Sequence, residues 1–253
     1  MFDVGWLLTA SRRFSLRVAG RYCAPGEDSV ECDHSGHVSS KGAVVGSSFF
    51  TANDFQVFEI PDFAGRMRAI REQVRPKLTA LGESLAPHIG RLVKGEVFPH
   101  VAKHARRTVN PPEDTWVAFG PERRGYKKHT HFKVAVSKNC VRYLFEVGAE
   151  HEDKRGWARR WERRPADLIA IVKRGQDIGW FKNEHDEDPA ASAGEADPTE
   201  IRMMLGELTR RRDGQLVLGR RLSRAEVTGM TAEAFQKAAL DVFRVLAPLY
   251  QGA

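Results

Sequence analysis

Residues 132–147, FKVAVSKNCVRYLFEV, contain two short runs rich in β-branched and aromatic residues, separated by residues 137–139. Such runs favour β-strands, and the polar break between them is typical of a hairpin turn. A third run of the same kind, TWVAF at residues 115–119, precedes them. The middle of the chain is therefore predicted to form a mixed or antiparallel sheet.

Helical patterns lie before these strands. Residues 54–60 (DFQVFEI) are predicted as a short strand or an extended lead-in, and Pro61 and Asp62 then open a helix. Apolar residues follow at steps of three and four and predict one core-facing stripe: Phe63, Met67, Ile70, Val74, Leu78, Leu81 and Leu85. Pro76 is expected to kink or split this helix, and a second helix is expected around residues 87–93.

The second half of the chain also contains both helices and strands. Helices are predicted after Glu150 and at residues 165–173, 198–212 and 231–249, with short strands at 178–181 and 216–218. Strands and helices grouped in this way indicate an α+β domain with helices packed on the sheet, rather than a repeating βαβ unit.

Composition excludes several classes of protein. The chain has 253 residues, of which 42% are hydrophobic and 29% charged, so it is neither a disordered chain, a fibrous repeat nor a disulfide-stapled miniprotein. No stretch approaches the roughly 18 apolar residues of a membrane span, and the N-terminal charges are reversed relative to a signal peptide. Three cysteines fit a reducing compartment. We expect a cytoplasmic protein without a membrane partner.

The first 48 residues differ from the rest. Gly, Ser, Asp and His crowd residues 25–48 without a regular period, which predicts an irregular extension or a misassigned start before a single domain at 49–253. Cys23, Cys32, His34 and His37 are metal-binding residue types, but eight residues separate the two cysteines, which is wide for a zinc site. No metal and no cofactor are expected.

A formal charge of +7 makes an anionic partner worth considering. Residues 98–133 carry eight basic and three acidic residues, and residues 154–174 carry eight and two. A third basic cluster lies at residues 202–224, and residues 184–200 are acidic. Trp157 and Trp161, one helical turn apart in the second cluster, are interpreted as core residues.

The most distinctive phrase is FPHVAKHARRTVNPPEDTWVAF at residues 98–119, followed by RGYKKHTHF at 124–132. Together with DFQVFEI at residues 54–60, GRM at 65–67 and RPKLTALGE at 75–83, it resembles the YktB-like uncharacterised bacterial proteins, a family with a domain of unknown function, over about residues 49–250.

The resemblance implies a compact α+β domain whose topology is similar to that of biotin-ligase and class II synthetase catalytic domains. It implies no known activity, so no catalytic residue is carried over. The family tends to have Pro-His-Phe where this chain has Thr130, His131 and Phe132, and an aspartate–histidine pair where this chain has Glu184 and His185.

The same phrase supplies the candidate binding residues. If residues 101–108 are helical, His100, Lys103, His104 and Arg107 share one face, and the Asn-Pro-Pro sequence at 110–112 ends the helix. Arginine and lysine bind phosphate and carboxylate. The predicted ligand-binding residues are Lys103, Arg106, Arg107, Asn110, Arg124, Tyr126, Lys127 and His131.

Three functions remain open. The first is a binding module for nucleic acid or a phosphate-bearing small molecule, with residues 159–164 as a further contact surface. The second is an enzyme acting on a small anionic substrate, with His100 or His104 as general acid/base and Asp114 as the nearest orienting group. In the third, these residues only stabilise the fold. The two histidines are spaced as in zincins, but Val101 replaces the required glutamate, which argues against a metal site.

Overall fold

The structure, a computed structural model, describes residues 48–250 apart from Arg106 and Gln176. The N-terminal extension predicted for residues 1–48 therefore lies, except for Ser48, outside the described residues, as do Cys23, Cys32, His34 and His37.

The strands form one seven-stranded antiparallel sheet in the order β1-β2-β3-β4-β7-β5-β6. They are β1 (Phe98–Val101), β2 (Asp114–Gly120), β3 (His131–Ser137), β4 (Cys140–Val147), β5 (Gly179–Phe181), β6 (Ala191–Ser192) and β7 (Leu216–Ser223). This confirms the predicted α+β class and the hairpin at residues 132–147, which is β3 and β4. The expected likeness to the biotin-ligase fold stays a prediction.

Helices surround the sheet. They are α1 (Ala52–Gln56), α2 (Phe63–Ala69), α3 (Arg75–Val93), α4 (Lys154–Glu162), α5 (Pro165–Val172), α6 (Pro198–Arg210), α7 (Arg224–Thr228) and α8 (Ala232–Tyr250). A 3-10 turn at Val57–Glu59 follows α1, a π-helical turn at Ile70–Val74 joins α2 to α3, and a 3-10 turn at Tyr126–Lys128 precedes β3.

One face of the sheet is apolar and packs against α3, α4 and α8. Phe132 of β3 stacks on Tyr250 and contacts Phe243 of α8, with ring centroids 5.3 and 4.7 Å apart. Trp157 and Trp161 of α4 are buried in the same core, which confirms their interpretation as core residues. The predicted stripe of α2 and α3 also belongs to this core, with Phe63 half-buried at its start.

The predicted strand at residues 54–60 is wrong. Asp54 accepts hydrogen bonds from the backbone and hydroxyl of Thr51, so a capping box starts α1 there. Phe55 and Phe58 are both buried, at the three-residue spacing of a helical turn. Alternation over so short a segment does not distinguish a strand from a helical turn.

The long helical stripe is interrupted once. The π-helical turn ends at Val74, two residues before Pro76, which agrees with the predicted distortion near this proline. Residues 87–93 are helical as predicted, but they continue α3, with Pro87 inside it, and do not form a second helix. Neighbouring packing keeps the helix continuous, since Leu85 and Ile89 on either side of Pro87 are fully buried.

None of the helices in the described part of the chain is both long enough and apolar enough to cross a membrane.

The apolar face makes a direct stability prediction. Phe243→Ala should lower the free energy of unfolding by about 3–5 kcal/mol, because it empties a fully buried ring site among Phe119, Phe132 and Tyr143. Urea denaturation measures this change. Met203→Ala, at an exposed position, is the control and should change stability by less than about 0.5 kcal/mol. A loss below about 1 kcal/mol for Phe243→Ala contradicts the packing described.

Candidate functional site

The opposite face of the central strands carries charged side chains, yet it is also covered. Because side chains alternate along a strand, His131 and Lys133 of β3 lie opposite in direction to Phe132. His131 pairs across the sheet with Glu146 of β4, and all of these residues are buried. Charges buried on a sheet face must be paired to offset their lost hydration.

Lys133 is the centre of this face, and its side chain is 0% exposed. Its ammonium lies 2.9 Å from Glu146 Oε1 and donates a hydrogen bond to Glu184 Oε2. Glu184 also pairs with Lys127, whose Nζ lies 3.3 Å from Oε1. Glu184 thus joins a buried lysine to a half-buried one.

His131 places one more proton in the network. Its Nδ1 lies 2.9 Å from the carbonyl oxygen of His129, and its Nε2 lies 3.0 Å from Glu146 Oε2. A carbonyl oxygen only accepts, so Nδ1 carries a hydrogen. The second contact then requires a proton shared between His131 Nε2 and the Glu146 carboxyl group.

Arg142 organises the neighbouring part of the face, and its side chain is also 0% exposed. Its Nη2 donates to Asp114 Oδ2 at 2.7 Å, while its Nη1 donates to the carbonyl oxygens of Glu184 and Asp186 at 2.9 and 2.6 Å. One buried guanidinium therefore ties strand β2 to the backbone of residues 184–186.

The turn at residues 184–186 positions His185 against Asp114. His185 Nδ1 lies 3.1 Å from each Asp114 carboxylate oxygen. An ionised carboxylate only accepts hydrogen bonds, so Nδ1 carries a hydrogen, and in the neutral ring Nε2 is the nitrogen with the lone pair. The His185 side chain is 37% exposed, and Nε2 lies 4.0 Å from Glu184 Oε1. The arrangement is an oriented imidazole that solvent reaches.

Aromatic rings lie beside the His185 imidazole. Trp116, half-buried on β2, has its ring centroid 5.9 Å from that of His185, and its Nε1 donates to the Tyr126 hydroxyl at 2.9 Å. The close approach of Tyr126 depends on Gly120, where a Cβ atom would lie 2.6 Å from Tyr126 Cβ. Gly125, at φ 77°, turns the chain into the 3-10 turn that carries Tyr126.

Burial and charge together shift the titration of these groups. Burial alone would raise the pKa of Glu184, but the ammonium groups of Lys133 and Lys127 outweigh it and hold the pKa below its usual range. Burial would lower the pKa of Lys133, but Glu146 and Glu184 raise it. Asp114 likewise has a lowered pKa against its burial, owing to His185 and Arg142. Burial raises the pKa of Tyr126 to about 12.

The helix predicted at residues 101–108 is wrong, so its shared His/Lys/Arg face does not form. His100 lies in β1, paired with Ala118, and His104 has a left-handed backbone at φ 50°. His100 Nε2 contacts the carbonyl oxygen of Glu122 at 2.8 Å, and its ring lies 4.8 Å from that of Tyr126. Pairing of β1 with β2 outweighs the helical propensity of the segment.

His104 still lies at the edge of the site. Its Nε2 is 3.2 Å from the hydroxyl of Thr115, and its ring meets Trp116 edge-on at 5.3 Å between centroids. Burial lowers the pKa of His104 to about 4, so the ring is neutral at pH 7.

The eight predicted binding residues fall into three groups in the structure. Tyr126, Lys127 and His131 lie in or beside the charged network. Four others are exposed: Lys103, Arg107, Asn110 and Arg124. The three cations among them, Lys103, Arg107 and Arg124, form no ion pair with a described residue. Arg106 lies outside the described residues.

Sequence reasoning missed several central residues: Trp116, Lys133, Arg142, Glu146, Glu184 and His185. A signal was present in the strands. Lys133, Arg142 and Glu146 interrupt otherwise apolar runs at positions that a buried strand normally fills with apolar side chains. In an antiparallel strand, however, such alternation is also typical of a solvent-facing side, so the sequence alone does not identify a buried ion network.

Among the residues that the structure describes, no group of three or more His, Cys, Asp or Glu side chains is arranged to hold a metal ion.

Comparison with known proteins gives a family match. Residues 50–250 match the family described as a domain of unknown function, DUF1054. The chain is 36% identical over 201 residues to a UPF0637 protein of Bacillus velezensis, covering 79% of this chain and 94% of that protein. It is 34% identical to a UPF0637 protein of Lysinibacillus sphaericus, covering 79% and 93%. The resemblance to YktB-like proteins is confirmed.

The ion pair between Glu184 and Lys133 should make the stability of the protein depend on pH. Glu184→Gln should lower the free energy of unfolding at pH 7 by about 1.5–3 kcal/mol, because it removes a charged partner of buried Lys133. Since the pKa of Glu184 is depressed in the folded protein, this stabilisation is complete above the ordinary glutamate pKa of about 4.3 and declines as the pH falls below it.

Urea denaturation of both proteins between pH 7 and pH 3 measures the effect. The difference between wild type and Glu184→Gln should shrink at the acidic end, while Glu83→Gln, at an exposed position of α3, should match wild type throughout. A difference that is constant with pH would show that Glu184 is not a stabilising charge.

Proposed function

We propose that this chain, which belongs to the DUF1054 family, is a hydrolase for a small anionic ester, with His185 as its general base. The observation that carries the proposal is the Asp114–His185 pair: both carboxylate oxygens lie 3.1 Å from Nδ1, Arg142 holds the carboxylate in place, and the His185 side chain is 37% exposed.

The geometry suits proton transfer. A carboxylate hydrogen-bonded to one ring nitrogen holds the imidazole in a single tautomer and stabilises the imidazolium that forms when the other nitrogen takes a proton. Asp114 remains ionised because its pKa is lowered. His185 Nε2 is therefore the proton acceptor, and Asp114 and Arg142 are positioning residues.

Water is the nucleophile that this arrangement favours. In the described part of the chain, no serine, threonine or cysteine side chain is hydrogen-bonded to His185. Cys140 is buried, and burial raises the pKa of its thiol, which leaves it unsuited to attack. A water next to Nε2 would lose one proton to the ring as its oxygen bonds to the ester's central atom. The bond from that atom to the alcohol oxygen then breaks, and the imidazolium returns the proton to the departing alcohol.

The expected anionic substrate follows from the surrounding cations and rings. Trp116 offers a half-buried flat surface, and Lys127 Nζ lies 5.8 Å from its ring centroid. The exposed cations Lys103, Arg107 and Arg124 add positive charge on the neighbouring loops, which raises the local concentration of anions. This retains the sequence-based expectation of an anionic ligand.

A small ligand suits this face better than a nucleic acid. Lys127 and Lys133, two of the basic residues in the segment, are already paired with Glu184 and Glu146. Nucleic-acid binding depends on many cations that are free to neutralise phosphates, whereas a small anion needs only a few, such as Lys103, Arg107 and Arg124.

His100 and His104 do not suit the role of general base. The ring of His100 is engaged by the Glu122 carbonyl oxygen, and His104 has a pKa of about 4 and contacts Thr115. For these two histidines the structural interpretation is the better one.

Chromogenic p-nitrophenyl esters test the proposal, namely the phosphate, the sulfate and the hemisuccinate, which share one reporter group. Turnover of at least one of them is expected, and His185→Gln should reduce its kcat by about 100-fold or more, as for loss of a general base. Asp114→Asn should also reduce it, because the tautomer is no longer fixed.

His88→Gln, at an exposed position of α3, is the matched control and should retain full activity. The proposal fails if wild type hydrolyses none of the three esters, or if His185→Gln and His88→Gln have the same kcat.

A further inference from the structure

Part of the basic cluster at residues 154–174 forms a concave, arginine-lined surface on α4 and its junction with α5. A hollow of about 380 Å³ is lined by Gly156, Arg159, Arg160, Arg163 and Arg164. Helix α4 packs through Trp157 on Phe145 of the apolar sheet face, so this hollow lies on the other side of the sheet from the Asp114–His185 pair.

The helix that carries these arginines is anchored to the core. Asp153 caps α4 by accepting a hydrogen bond from Gly156 N at 2.9 Å, and Trp157 Nε1 donates to the carbonyl oxygen of Leu249 at 3.1 Å. Arg164 lies over the ring of Trp161, with its Cζ 5.6 Å from the centroid. The cationic groups therefore project from an anchored helix.

The positive charge of the hollow is only partly balanced within the protein. Arg164 pairs with Asp167 at 2.7 Å. Arg159 and Arg163 form no ion pair with any residue that the structure describes, and both are exposed. They lie four residues apart, where like charges on a helix face repel each other. An anion bound between them would remove this repulsion.

We propose that the hollow binds a ligand with two or more neighbouring phosphate groups, such as a polyphosphate or the backbone of a nucleic acid. A guanidinium binds phosphate oxygens through two parallel N–H groups, and two such groups on one helix face match adjacent phosphates. The two tryptophans are buried beneath the arginines, so no exposed ring is available for base stacking. Recognition therefore depends on phosphate charge, not on base identity.

Binding of fluorescein-labelled dT20, followed by fluorescence anisotropy from about 50 to 200 mM salt, tests the proposal, with unlabelled tripolyphosphate as competitor. Arg159→Gln/Arg163→Gln should weaken binding of dT20 at least tenfold. It should also reduce the slope of log affinity against log salt by about 0.7 for each lost contact.

The control is Arg210→Gln/Arg211→Gln, which makes the same charge change at the end of α6, where Arg210 pairs with Glu207 and Arg211 with Asp213. It should bind dT20 within twofold of wild type. The melting temperature of Arg159→Gln/Arg163→Gln at low salt should equal or exceed that of wild type, because repulsion is relieved; this shows that the variant is folded.

The competitor distinguishes the two sources of phosphate. Displacement of dT20 by micromolar tripolyphosphate indicates a small polyphosphate ligand, and displacement only at millimolar concentrations indicates a nucleic-acid backbone. The proposal is overturned if neither phosphate compound binds at 50 mM salt, if the two double variants bind equally, or if polyglutamate of matched charge binds as tightly as dT20.

Discussion

The buried ion pair between Arg142 and Asp114 determines how the charged face of this protein is built. Both side chains are almost completely removed from water, so each needs a partner to offset its desolvation. The guanidinium has more donors than Asp114 accepts from, and it uses them on the carbonyl oxygens of Glu184 and Asp186. Pairing the two terminal nitrogens of this arginine therefore fixes the backbone of that turn, and with it the positions of Glu184 beside Lys133 and His185 beside Asp114.

The apolar face makes this arrangement possible. Strands β2, β3 and β4 are held by rings from α8, so the polar side chains on their other face project from a rigid support. The hydrolase proposal depends on this preorganisation, since an oriented histidine is effective only when its partner does not move. The arginines of α4 share the same support but face away from it, which makes the two proposed sites independent.

Most of the fold could be predicted from local patterns, because β3, β4, α3, α6 and α8 each combine strong periodicity with clear end signals. The errors lie where tertiary contacts outweigh local preference. Residues 101–108 have helical spacing, but β1 pairs with β2 and His104 takes a left-handed backbone. The site was less predictable: Asp114 was expected to orient His100 or His104, but its carboxylate contacts His185 instead. Its partner is 71 residues away in the sequence, and only the folded sheet brings the two together.

The protonation state of His185 shows whether Asp114 and Arg142 hold this imidazole as an oriented base. Nitrogen-15 NMR at neutral pH distinguishes the two ring nitrogens and shows which one carries a hydrogen. If Asp114 orients His185, we expect one neutral tautomer, with the hydrogen on Nδ1 facing Asp114, and loss of that preference in Asp114→Asn. A hydrogen on Nε2, or a mixture of tautomers like that of a free imidazole, would contradict an oriented base held by Asp114 and Arg142.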